Sequence, residues 1–568
     1  MNPFRTIRAG FANGTAGLPA VSLLVAVLVA APIISLGMVA AKGSGDLWPH
    51  LAAYVLPQAI SDTLLLLIGT GVLVIVIGTS AAWLVTAYDF PGRAIFQWAL
   101  LLPLAMPTYI IAYAYLDLLH PIGPVQSALR AFLGLASPRD LILPDIRSMG
   151  GCILLFGFVL YPYVYFSTRA MFVMQMANLV EVGRTLGAGS FGIFWRVALP
   201  LARPAIAVGT SLALMDALND IGASEFLGVR TMTVSIYATW VNRSNLPGAA
   251  QIALIMLALV IALILIERFA RRRQSYAGSA QRARRLVPER LQGTKAIGAW
   301  LACFVPIFLG FIAPALYLCV EAVARLRFAG LSPSLLTQIG NTILISALAT
   351  FVSLALGLVL AFTARMMRNR FTDVILRVAS LGYALPGTVL AIGLLGPLAL
   401  MDDAIGALSE ILTGRTTGLV MSASGVALIY AYVARFLTIS TGNAESGLSR
   451  LSLSLDHAAR TLGESAGGVS RRIHLPLISP ALASAALLVF VDCMKELPAT
   501  LLLRPLNFET LATHLYGEAA RGTYEDGAIA ALAIVLFGLL PMILLARTSR
   551  APEKVEQMMP QREGIVHG

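Results

Sequence analysis

Four carboxylates and one amine interrupt otherwise apolar stretches of the sequence. Asp216 and Asp220 are one helical turn apart, Asp492 and Glu496 repeat that spacing in a distant segment, and Lys495 lies three residues after Asp492. Ionisable groups at membrane depth are costly, and they usually face a water-filled path or one another. Two readings follow: these residues line a route for a solute, or they form pairs such as Asp492 with Lys495 that lock helices together or sit at headgroup depth. Other chemistry finds no footing. The six histidines form no H-E-x-x-H cluster, and no G-x-S-x-G elbow appears. A phosphate-binding loop needs a lysine followed by Ser or Thr, whereas the four lysines here precede Gly43, Ala296, Glu496 and Val555. Cys152, Cys303, Cys319 and Cys493 lie in or beside apolar runs without paired spacing, so they read as small core residues, and neither a metal site nor a cofactor is expected.

The elements that must position these groups are membrane helices. Of the 568 residues, 58% are hydrophobic and 12% charged, too little polar surface for a water-soluble globule. Apolar runs long enough to cross a hydrocarbon core recur along the chain. Twelve spans are expected, near 18–41, 58–87, 94–118, 149–173, 205–224, 248–268, 297–320, 341–365, 373–400, 417–438, 481–502 and 528–546. The first exceeds a typical signal-peptide core and is read as a span. Basic residues, richest from Arg268 to Lys295 and recurring at Arg5, Arg8, Arg93, Arg365, Arg368, Arg370, Arg377, Arg547 and Arg550, all fall on one side of a twelve-span chain. That side is cytoplasmic by the positive-inside rule, with both termini there, and beside membrane spans such charge speaks for topology rather than nucleic acid.

The chain also repeats itself. Ile60 to Leu64 matches Ile339 to Ile343 and Pro107 matches Pro386 at an offset of 279, and Arg184 to Gly187 matches Arg460 to Gly463 at an offset of 276. Asp216 then meets Asp492. An even number of spans per copy makes the copies parallel, related by an axis along the membrane normal, with a transport path expected at their interface. The expected division is a first half over 1–269, a basic cytoplasmic linker over 270–296 and a second half over 297–568.

Between spans 4 and 5 lies Glu181-Val182-Gly183-Arg184-Thr185-Leu186-Gly187, then nine residues, then Val197 to Pro200. Between spans 10 and 11 lies His457 to Gly463, nine residues, then Ile473 to Pro476. Each reads as two short helices joined at a glycine that permits a left-handed turn, the second running to a helix-breaking proline. Phe191, Phe194, Trp195 and Ala198 form an apolar stripe suited to a partner's groove, or to lipid headgroups. The two stretches resemble the EAA motif of ABC importer permeases, E-A-A-x3-G-x9-I-x-L-P. The chain departs from it at Val182-Gly183 and at His457, with Asp456 one residue earlier. The resemblance implies a type I ABC importer permease fold, all-α, in two parallel six-helix repeats of the bacterial inner membrane. It also implies a separate cytoplasmic ATPase, as a homodimer, gripping loops that carry Glu181, Arg184, Gly187, Phe191, Phe194, Trp195 and Pro200 in one copy and Asp456, His457, Arg460, Gly463, Ile473 and Pro476 in the other.

The stretch from Asp492 through Lys495-Glu496-Leu497-Pro498 to Pro505, with Asn507, Phe508 and Leu511 to Thr513, resembles the fused permeases of the iron(III) uptake family. That resemblance implies ferric iron as cargo, delivered by a periplasmic binding protein that confers most of the selectivity. Thiamine permeases share the fused architecture and remain the alternative within the class. A secondary transporter coupled through Asp216, Asp220, Asp492 and Glu496 is the alternative outside it, and it leaves the twin loops unexplained.

Overall fold

The computed structural model describes residues 17–135, 137–141, 143–175, 189–271, 288–367 and 369–557. Almost all of the described chain is helical. Ten described helices are long and apolar enough to cross a membrane, and the bent pair Arg93–Ala105 and Thr108–Leu118, which turns by 89°, makes an eleventh. The expected twelfth span falls on the helix Tyr524–Gln557. Wide apolar faces point outward, among them Leu24, Ile68 and Phe351, as lipid-facing surfaces must.

Three expected spans are corrected. The expected 373–400 joined two elements: an amphipathic helix Arg370–Ala379 precedes the true span Gly387–Thr413, with Leu385-Pro386 between them, because proline cannot donate to the ladder and biases its predecessor to extended backbone. The expected 205–224 and 481–502 each ran across a break. The helix Leu199–Asn219 stops at Asp220, and a short helix Gly222–Phe226 follows; Leu475–Met494 likewise gives way at Lys495 to Leu497 before Pro498–Leu503. The prolines of the loops do not end helices either. A π-helical turn over Phe194–Ala198 precedes Pro200, and another over Ser470–His474 precedes Pro476. Widening the ladder for one turn absorbs the missing N–H, so each loop's second helix runs without interruption into its span.

The repeat is visible in individual bonds. Thr63 Oγ1 accepts from Met232 N at 3.0 Å, and Thr342 Oγ1 accepts from Leu511 N at 2.9 Å, the same link at equivalent positions. The first span of each half nevertheless lies against the other half. Ser22 and Tyr430 tie Gly17–Ala41 to the second half, through a 2.8 Å bond to Thr363 and a 2.7 Å bond to the carbonyl of Leu28. Reciprocally, Tyr115 donates to the carbonyl of Leu309 at 2.6 Å and Tyr317 to Asp117 at 2.5 Å. The described end of the linker pairs Glu289–Arg290 in parallel with Tyr88–Asp89, and the next helix begins at Gly293, inside the stretch expected to be linker.

Two glycines make this interlock possible. A Cβ on Gly393 would collide with the carbonyl oxygen of Pro32, and one on Gly310 with that of Phe158, whereas Gly442 has open space. Gly393→Val and Gly310→Val should therefore each cost about 1–3 kcal/mol, the usual price of overpacking. Thermal unfolding of the detergent-purified chain checks this, with Gly442→Ala expected to match the parent; unchanged unfolding of both valine variants would mean that the crossing helices are not tightly seated.

Candidate functional site

A cavity of about 160 Å³ lies between the halves, lined by Met106 to Tyr109, Tyr163, Asp216 to Gly222, Tyr383 to Pro386, Arg435, Asp492 and Lys495 to Pro498. Tyr163 and Arg435 lie near the middles of the helices Met149–Gln175 and Gly425–Ser449, which places the cavity at mid-span. Its walls come from helix breaks, where side chains and free backbone ends converge.

The carboxylates separate into two kinds. Asp220 is buried and spent on structure: its Oδ1 accepts from Ala223 N at 2.7 Å and Ser224 N at 3.4 Å, capping the helix Gly222–Phe226, and Thr108 donates to its other oxygen. Glu496 does the same work for Pro498–Leu503, accepting from Ala499 N at 2.9 Å, Thr500 N at 3.0 Å and Thr500 Oγ1 at 2.6 Å, while Arg435 pairs with it at 2.8 Å. Asp216 and Asp492 instead open into the cavity. Tyr163 donates to Asp216 at 3.3 Å, and Lys495 pairs with Asp492 at 2.9 Å. Asp216 and Asp492 thus border the cavity, Asp492 within the ion pair with Lys495, while Asp220 and Glu496 stand in its wall as helix caps.

The loops beneath are less alike than their sequences. Glu181, Arg184 and Gly187 lie outside the described residues, and of Phe191 only the backbone is described. Phe194 turns inward, its ring 5.4 Å from that of Trp83, and Ala198 is fully buried, so part of the expected partner stripe anchors the loop to its own half. Trp195 is exposed, and Pro200 is half-buried. In the second copy Asp456 is the anchor. Arg365 grips it through Nε at 3.0 Å and a terminal nitrogen at 3.1 Å, and buried His474 meets it at 2.7 Å while its ring stacks on Phe362. Burial pushes the Asp456 carboxyl up, but the bonds from Arg365 and His474 outweigh it and hold the group below the usual carboxylate range. His457, Arg460 and Pro476 are exposed, Ile473 is half-buried, and Gly463 takes the left-handed turn at φ 87° next to the 86% exposed Leu462.

Comparison with known proteins decides what this arrangement belongs to. The family model described as the binding-protein-dependent transport system inner membrane component matches the chain twice, over residues 74–276 and 353–551. The chain belongs to that family. It is thus an ABC importer permease, a membrane component that works with an ATPase and a periplasmic binding protein. Among its relatives, the Fe(3+)-transport system permease protein FbpB 2 of Haemophilus influenzae is 25% identical over 86% of this chain and 90% of its own length. The probable ABC transporter permease protein y4fN of Sinorhizobium fredii is 24% identical over 87% and 88%. The molybdenum transport system permease protein ModB of Escherichia coli is 30% identical over 35% of this chain and 87% of its own length, the proportion expected when one relative corresponds to half of a fused permease.

Sequence reasoning missed several residues of the permease's cavity and loops. Arg435 was findable, as an arginine within an apolar span; Tyr163, Tyr383 and Asn219 carried no signal, since aromatic and amide residues in a helix are ordinary packing. His474 and Arg365 read only as a loop residue and a topological charge.

Removing Glu496 should be far worse than neutralising the cavity acids. Glu496→Ala leaves Arg435 and two backbone donors unpaired, and the loss of about 3–5 kcal/mol typical of a broken buried pair should deplete folded protein in detergent. The double variant Asp216→Asn, Asp492→Asn should elute as the parent does on size exclusion; its aggregation would assign those acids to helix locking. For the second loop, a depressed carboxyl contributes stability above the ordinary range, and loses it as pH falls through its lowered value. Hydrogen exchange of residues 453–463 should accordingly be protected at neutral pH and lose protection only below about pH 4, with Asp456→Asn unprotected throughout. Loss of protection already near neutrality would show that Asp456 is not the clamp.

Proposed function

We propose that this permease moves ferric iron from its periplasmic binding protein into the cytoplasm through the cavity between its halves. The observation that carries the proposal is the pair of cavity-facing carboxylates, Asp216 and Asp492, at equivalent positions of the two repeats. A hard, highly charged cation seeks oxygen donors, and the cavity offers carboxylates and the phenols of Tyr163 and Tyr383. An oxyanion such as molybdate would meet like charge there. The likeness over most of its length to a permease named for Fe(3+) transport supports the same cargo.

Energy comes from outside the chain on this reading, since no lysine in the sequence precedes Ser or Thr. The ATPase acts as a homodimer, one copy on the loop from Glu181 to Pro200 and the other on that from Asp456 to Pro476. The exposed Leu462 and Trp195 are the apolar contacts it would seat, with Arg184, His457 and Arg460 around them. Both termini and the linker over 270–296 lie on the cytoplasmic side, the halves being 1–269 and 297–568.

Proteoliposomes carrying the permease, its ATPase and its binding protein test this. They should take up ferric iron and not thiamine, the isolated chain should hydrolyse no ATP, and Asp216→Asn with Asp492→Asn should cut iron uptake roughly tenfold, equivalent to about 1.4 kcal/mol. Thiamine uptake without iron uptake would overturn the cargo, and undiminished uptake by the double variant would move the path elsewhere.

A further inference from the structure

The two repeats place the same acids around the cavity but not the same neighbours. At the position between them the first half carries Asn219 and the second Lys495. Asn219 is occupied in the wall, where its Oδ1 accepts from Gly387 N at 2.6 Å and so fixes the start of the helix Gly387–Thr413. Lys495 has no comparable duty. Its side chain is about one-third exposed to the cavity, and Asp492 is its ion-pair partner. The cavity's other base is committed: Arg435 is held by Glu496 and lies over the ring of Phe436. Asp216, across the repeat axis from Asp492, has a phenol from Tyr163 but no cation within ion-pair distance among the described residues.

The cavity therefore holds two equivalent acids and one uncommitted ammonium, which is paired with Asp492. On the reading that the cavity is the cation path, we propose that Lys495 is a resident counter-cation, which neutralises Asp492 at rest, leaves Asp216 charged, and is displaced by the travelling cation. A flexible stem carrying a compact charge suits this role, whereas a guanidinium would hold its carboxylate bidentately. The device answers a conflict in any cation path. Two converging carboxylates and two phenols would retain a trivalent cation, and a route must bind weakly enough to let go. A tethered amine that returns to Asp492 supplies the competing charge that ejects the cargo. It also rejects weak competitors, since a monovalent cation gains too little from Asp492 to replace an ammonium already there.

Terbium(III), a hard trivalent cation whose emission is sensitised by nearby tyrosines, is the probe, and Tyr163 and Tyr383 line the site. The full chain purified in detergent should bind terbium at the cavity weakly. Lys495→Met should bind it at least about tenfold more tightly, the shift expected from removing about 1.4 kcal/mol of competing charge. The double variant Asp492→Asn, Lys495→Met, which removes both members of the ion pair, should return to parental affinity. A folded Lys495→Met with parental terbium affinity would overturn the proposal. Lys495→Arg keeps the ion pair and so the fold, and it should nonetheless slow iron uptake in the reconstituted complex while ATP hydrolysis persists; parental uptake by Lys495→Arg would equally overturn it, because a purely structural pair is satisfied by arginine. If the parent complex moves no ferric iron but Lys495→Met still gains the terbium site, the cargo assignment fails and the role of Lys495 stands.

Discussion

The structure turns on two carboxylates that cap helices in the cavity wall. Asp220 and Glu496 each hold open a helix break at mid-span by accepting the first free N–H groups of the short helix that follows. In hydrocarbon an unsatisfied backbone donor costs several kcal/mol, so a broken helix is tolerated only where side chains re-satisfy it and the irregular backbone faces protein or a cavity. Once those breaks are fixed, the helix ends before them must present their last turn inward. That turn carries Asp216 in one half and Asp492 in the other, and the cavity is the space the breaks leave.

Symmetry sets the frame and asymmetry sets what it does. The matched links from Thr63 and Thr342 fix the two halves to one plan, and the exchanged first spans make neither half a separate packing unit, since each helps to wall the other. Within that frame the copies have diverged where polarity matters. Lys495 stands opposite Asn219, and Arg435 opposite Val159. A cavity built from two copies of the first half would have carried four acids with no base among them, a cluster that could not stay ionised together.

Much of this was legible in the sequence because it is written in periods and offsets. Span length, the repeat and the twin loop motifs all depend on runs of residues, and the comparisons agree on family. What was not legible depends on single groups brought together from far along the chain. The breaks at Asp220 and Glu496 sit in sequence that reads as continuous apolar helix, and only the partners Thr108, Thr500 and Arg435 reveal that those acids cap helices in the cavity wall. The same limit applied to the loops. Proline before a span reads as a stop, yet the π-helical turns at Phe194–Ala198 and Ser470–His474 carry the helix through it.

That continuity ties the loops to the cavity mechanically. From the π-helical turn at Ser470–His474 the helix runs to Met494, with Asp492 in its last turn, and from Phe194–Ala198 it runs to Asn219, with Asp216 in its last turn. A rigid helix moved at its loop end must move its far end, and here that end carries the cavity acids. The anchors at the near end differ: an aromatic contact of Phe194 with Trp83 in one half, and an ionic clamp of Asp456, Arg365 and His474 in the other. An apolar contact is non-directional and slides, whereas a bidentate charge pair holds one geometry. Equal displacements of the two loops would consequently not reach Asp216 and Asp492 equally, and the half that carries Lys495 is the one whose loop is held by the stiffer anchor.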